Sequence, residues 1–138
     1  MHVADSGAWF DDYLNAFATL GRGELDDPRL LLDYYAVPLL LTTDDAVLTL
    51  TTEDAVVTAV RQQISGLRDA EYDRSETITS ELSALNARTA LYAAEFSRRR
   101  ADGSEIERLA ATYLITVGTA GRRISAVIVR TNAGAGGR

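Results

Sequence analysis

The sequence predicts an α+β domain, helices first and strands last, and three observations carry that prediction. Apolar residues recur at three- and four-residue spacing from Phe10 to Leu20, the stripe of an amphipathic helix. A second stripe, Val56, Val60, Ile64 and Leu67, has the same period. From Tyr72 onward the pattern changes to alternation, cut by short turns. Helices gathered ahead of consecutive antiparallel strands give a sheet whose one face the helices cover.

In order along the chain, Phe10, Tyr13, Leu14, Phe17 and Leu20 form the first helix, and Gly21 and Gly23 are expected to stop it. Asp27 is the expected N-cap of a short second helix, with Pro28 at its first position, where a missing N–H costs nothing. Pro38 cannot continue that helix, so Val37 to Leu41 is read as a strand with the proline near its start. Asp44 and Asp45 make a turn into a second short strand, AVLTL. Thr51 and Asp54 have capping-box spacing, and the helix they open should run to about Asp69. The strands follow. Ile78 and Leu82 share one parity in Tyr72 to Leu85. Tyr92, Ala94 and Phe96 oppose Leu91, Ala93 and Glu95 in Arg88 to Arg98. Asp102–Gly103 suits a hairpin turn. Leu109, Ala111, Tyr113, Ile115 and Val117 share a face. In Ile124 to Arg130, Ile124, Ala126 and Ile128 are expected to face one way and Val127 and Val129 the other.

A chain of 138 residues, 46% hydrophobic and 25% charged, fits one globular domain. That domain is expected over residues 1–131, with 132–138 (NAGAGGR) a flexible tail. No apolar run approaches the ~20 residues of a membrane span, and MHVADSGAWF lacks the basic leader and apolar core of a secretory signal. A cytoplasmic protein without membrane attachment is expected. There is no cysteine, and all 14 cationic residues are arginine, which removes thiol and Schiff-base chemistry. The one histidine, His2, sits at the chain start, so a histidine triad or a multi-histidine metal site cannot be assembled. No cofactor and no metal are expected. A net charge of −6 argues against nucleic-acid binding, and the arginines of SRRRADGSEIER are read as cross-strand-paired surface charge.

The stretch LLLDYYAVPLLLTTDDAVLTLTTEDAV, with TALYAAEFSRRRADGSEIERLAATYLIT and GRRISAVI, resembles the NTF2-like superfamily, and within it the small SnoaL-like, ketosteroid isomerase-like proteins. The resemblance spans Ala8 to Val129 and implies a cystatin-like cone, helices packed on a strongly curved mixed or antiparallel sheet. It further implies a pocket between helices and sheet and a homodimer. Apolar residues on both sides of the later strands agree with a homodimer formed through the outer sheet face.

The resemblance does not fix a reaction. An isomerase of this type needs a carboxylate on the first strand and an acid on a later one, but Val37 to Leu41 and Leu109 to Val117 carry none. A histidine–aspartate dehydratase lacks its internal histidine. An Asp–Arg–Asp epoxide hydrolase could draw on Arg88 or Arg98 and Glu95 but lacks its second carboxylate. The leading expectation is a small apolar ligand held in the pocket, lined by Tyr13, Phe17, Tyr34, Tyr35 and Tyr113. One alternative is a proton-transfer enzyme acting on a polyketide-, terpenoid- or steroid-like substrate, with Glu95 as acid or base. The bland reading of Glu95 is a pair with an arginine such as Arg108. Another alternative is an interaction module whose pocket is filled by side chains.

Overall fold

The computed structural model describes residues 3–131, except for the side chain of Ala4. His2 and the expected tail at 132–138 lie outside the described residues. A 3-10 turn at Val3–Asp5 leads into α1 (Gly7–Gly21). A second 3-10 segment, Pro28–Asp33, precedes the hairpin of β1 (Tyr35–Thr42) and β2 (Val47–Leu50). Then come α2 (Glu53–Asp69), β3 (Tyr72–Asn86), β4 (Thr89–Arg100), β5 (Glu105–Gly118) and β6 (Gly121–Thr131).

The strands form one open sheet in the order β2-β1-β6-β5-β4-β3. All neighbours are antiparallel except β1 and β6, which run parallel. α1 buries Phe10, Tyr13, Phe17 and Leu20, and α2 buries Val56, Val57, Val60, Ile64 and Leu67. All of these but Val57 join Leu39, Tyr92, Phe96, Leu109, Ile115 and Ile124 from the strands in one core. The helical stripes therefore close the inner face of the sheet, as their period requires.

The helix ends follow local chemistry, with two adjustments. Asp27 caps the 3-10 segment, accepting from the Arg29 N–H at 3.0 Å. At the start of α2 the cap is Thr52 rather than Thr51; its Oγ1 accepts from the Ala55 N–H at 3.1 Å. Asp54 lies in the first turn instead and pairs with Arg29 at 2.7 Å. α1 is ended by Gly23, whose φ of 83° is the left-handed conformation glycine adopts freely. Its N–H donates to Leu20 O and that of Glu24 to Thr19 O, the paired bonds of a Schellman ending. Gly21 serves packing, not the stop: a Cβ there would lie 2.7 Å from two ring carbons of Tyr72.

Two bulges correct the strand parities. In β6 the pairing steps from Ile115–Ile124 to Leu114–Ala126, leaving Ser125 extra. Ile124 consequently shares the inner face with Val127 and Val129, while Ala126 and Ile128 face outward. In β3 the step from Thr77–Phe96 to Thr79–Glu95 leaves Ile78 in the bulge and exposed, whereas Leu82 pairs with Tyr92 inside. Each extra residue also bends its strand, which suits a sheet that curls around two helices.

Candidate functional site

The inner face of the curved sheet and the two helices enclose one mostly apolar cavity. Leu39 and Leu41 of β1, Leu50 of β2, Val56 and Val60 of α2, and Val127 and Val129 of β6 form its walls. Counting its open mouth, about 700 Å³ between them is not filled by atoms, and about 60 Å³ admits the centre of a water molecule. One buried water needs roughly 10–15 Å³ on that measure, so the space holds a few waters or a molecule of similar bulk. Drug-sized pockets run to roughly 300–1,000 Å³.

Four of the expected lining residues meet here. Tyr13 and Phe17 project from α1, Tyr35 from β1 and Tyr113 from β5. Tyr13 is the hub, its ring within 6.3 Å of those of Phe10, Phe17, Tyr34, Tyr35 and Tyr113, centroid to centroid. The Tyr13 and Tyr35 hydroxyls share a hydrogen bond of 2.5 Å. Burial pushes the Tyr35 hydroxyl up to about 12 and raises those of Tyr13 and Tyr113 as well, because a phenolate there would lose its water. At neutral pH all three are protonated hydrogen-bond donors. Tyr34 does not line the cavity. It is half-buried at the rim, its ring against Trp9 at 5.5 Å and Tyr13 at 5.7 Å.

Glu95 is also elsewhere. Along β4, Ala94 and Phe96 point inward, so alternation turns Glu95 to the outer face beside Thr79 and Ala110. There it borders a shallow outer groove with Glu81 and Arg130. Parity thus places Glu95 on the face away from the cavity to which it was expected to bring acid–base chemistry. Arg108, its suggested partner, pairs with Glu105 at 3.1 Å.

The cavity gains instead a residue that reads from the sequence as surface charge. β4 extends to Arg100, and the inward parity of Ala94 and Phe96 continues to Arg98. Its side chain is only 13% exposed and donates from Nη1 to Glu107 at 2.8 Å. The guanidinium carbon lies 5.7 Å from the centre of the Phe17 ring, a cation–π contact. Its positive charge opposes the burial shift at Tyr13, Tyr35 and Tyr113 alike. Gln63 of α2 and Ser75 of β3 complete the polar lining, Ser75 already bonded to the Tyr72 hydroxyl at 2.8 Å. The unbroken alternation Tyr92, Ala94, Phe96, Arg98 was the signal for this residue. The other arginines of the run are spent on structure, Arg99 on Gly103 O and Arg100 on Ala70 O.

Among the described residues, no cluster of three or more His, Asp or Glu could hold a metal ion, and no helix is long and apolar enough to cross a membrane.

Two helices held in the concavity of an open, bulged, mixed sheet, with a cavity between them, define the NTF2-like class of cystatin-like folds. Within it, residues 4–132 match the family model described as NTF2-like protein (DUF6841), and the chain belongs to that family. No curated protein matches the sequence. Among solved structures, it is similar to a domain of unknown function with a cystatin-like fold from Nostoc punctiforme, at 15% identity and TM-score 0.69, over 94% of this chain and 78% of that one. Yeast UBP3-associated protein BRE5 superposes at 16% identity and TM-score 0.67, over 90% and 91% of the two chains. An NTF2-like protein from Novosphingobium aromaticivorans does so at 12% and 0.66, over 87% and 77%. Identities this low establish the fold alone.

Proposed function

We propose that this is a binding domain of the SnoaL-like kind, holding a small, largely apolar molecule in the cone. The observation that supports it is the set of protonated tyrosine hydroxyls and one arginine kept inside a mostly apolar cavity. Polar groups buried this way cost stability unless something pairs with them. Among the described residues, the lining offers donors but neither carboxylate nor histidine, so it favours binding over proton transfer. The test is methyl-resolved NMR and thermal shift with a panel of single-ring and short-chain compounds, neutral and anionic. Saturable shifts at Leu39, Leu41 and Val127, lost in the cavity-filling variant Val129→Phe, are the expected result. A panel that stabilises nothing, or binding unchanged in that variant, overturns the reading.

The outer face supports a second proposal, a homodimer. Cross-strand register sets Leu91, Leu114, Ala126 and Leu40 in one row and Ala93, Thr112, Ile128 and Thr42 in the next. Leu40 is 38% and Ile128 47% exposed, on a face that carries Glu95 and Arg130 at its flank. A two-fold partner would cover the rows and set acid of one copy against base of the other. Light scattering after size exclusion should give a dimer mass at micromolar concentration, and monomer for Ile128→Glu. A monomeric wild type overturns it.

A further inference from the structure

The identity of the ligand's polar end follows from the donors in the cavity, an argument that rests on the binding reading above. We propose that the cone takes a small monocarboxylate, a short-chain or single-ring apolar acid whose carboxylate lies between Arg98 and the hydroxyls of Tyr113 and the Tyr13–Tyr35 pair.

Three observations converge on it. The first is the hydrogen inventory. The Tyr13–Tyr35 pair has two protons and needs one for its mutual bond, so one O–H remains to donate. The Tyr113 hydroxyl lines the cavity, and among the described residues burial and nearby charges act on it rather than a hydrogen bond. Burial keeps these groups protonated, so they face the cavity as donors in want of an acceptor.

The second is charge. Arg98 gives Nη1 to the half-exposed Glu107, which fixes the guanidinium, and Phe17 covers one of its faces. A guanidinium carries five N–H donors, so most of its fork is still available. Arg98 is the charged side chain that acts on all three hydroxyls, and no carboxylate shares the lining with it. The region between them is therefore rich in donors and positive in sign.

The third is size and polarity. A carboxylate offers about four lone-pair sites on two oxygens, enough for a guanidinium and two hydroxyls, while the walls of leucine and valine suit only an apolar remainder. A neutral hydrocarbon would fill the walls and leave the remaining donors, the rest of the Arg98 fork and the spare hydroxyl protons, unpaired. A neutral amide has one acceptor oxygen where a carboxylate has two, puts donors in place of the second, and carries no charge to set against Arg98.

The test compares benzoate and hexanoate with benzamide and hexanamide, by calorimetric titration at neutral pH, on wild type, Arg98→Met and Tyr113→Phe. The carboxylates are expected to bind about tenfold or more tighter than the amides, the discrimination one charged hydrogen bond supplies. Arg98→Met should erase that preference. Tyr113→Phe should weaken carboxylate binding about tenfold by the same principle without lowering the melting temperature of the free protein, since among the described residues its hydroxyl has no hydrogen-bond partner to lose. Amides binding as tightly as acids, or a preference that survives in Tyr113→Phe and Arg98→Met, overturns the carboxylate assignment and leaves the binding domain standing. Should Arg98→Met not fold, Tyr113→Phe decides alone. Failure of all four compounds to bind overturns the binding reading together with this one.

Discussion

Replacing Tyr13 and Tyr35 by phenylalanine, singly and together, probes the polar centre of the cavity. Both rings are almost fully buried, and their hydroxyls are 2.5 Å apart. Tyr13→Phe removes one oxygen and leaves the Tyr35 hydroxyl without its partner; Tyr35→Phe does the reverse. Losing a net hydrogen bond and stranding a buried hydroxyl together cost about 1–3 kcal/mol in each single variant. The double variant strands nothing, because two apolar rings of the same shape now meet, so it should cost no more than either single. A coupling of about 1–2 kcal/mol follows, well beyond the ~0.3–0.5 kcal/mol scatter of independent sites. Urea unfolding followed by circular dichroism measures it. Additive costs, with the double variant the worst of the three, would refute the argument that the two hydroxyls satisfy only one another.

Three further outcomes are expected. Gly21→Ala should destabilise by about 1–3 kcal/mol in thermal melts, because the Tyr72 ring must move, although alanine elsewhere in a helix gains about 1 kcal/mol over glycine. Alkaline pH should weaken the fold. An unfolded tyrosine loses its proton near pH 10, whereas Tyr35 holds its proton to about 12. The stability this residue contributes is thus complete below pH 10 and falls as pH rises from 10 toward 12, by roughly 2–3 kcal/mol from Tyr35 by linkage, with Tyr13 and Tyr113 adding in the same direction. Melts from pH 8 to 11.5 with phenolate absorbance should show unfolding and tyrosine ionisation together, and independent of each other if the account fails. Finally, Arg68→Met should loosen the segment after α1, since Arg68 donates to the carbonyls of Leu20 and Leu25 and pairs with Asp26. Hydrogen exchange should quicken at residues 22–26 and stay unchanged in β5.

Much of this architecture was legible because its signals are local. Each helical stripe faces one way, Asp102–Gly103 makes its hairpin, and strand alternation already set Glu95 opposite Phe96. The misses share another origin. The bulges at Ile78 and Ser125 exist only in the pairing with a neighbouring strand, and one extra residue reverses every parity after it. Gly21 looks like a helix stop until Tyr72, far along the chain, is seen against it. Thr51 and Thr52 are chemically alike; the backbone decides which one caps. The parallel contact of β1 with β6 joins the two halves of the chain and leaves no pattern in either. Arg98 hid in a charged run beside a turn, where arginine ordinarily meets solvent. The cavity's aromatic half could be read from tyrosines at core positions, but its one cation could not be told from its neighbours without the strand's true length.

The central claim is that the cone's interior, and not its outer groove, is where this protein meets a small molecule. Methyl-resolved NMR of the wild type during titration with benzoate tests that most directly. The account predicts saturable shifts confined to Leu39, Leu41, Val56, Val60, Val127 and Val129, the cavity walls. Shifts centred on Ile128, Leu40 and the alanines beside Glu95, with the cavity methyls unmoved, would contradict it.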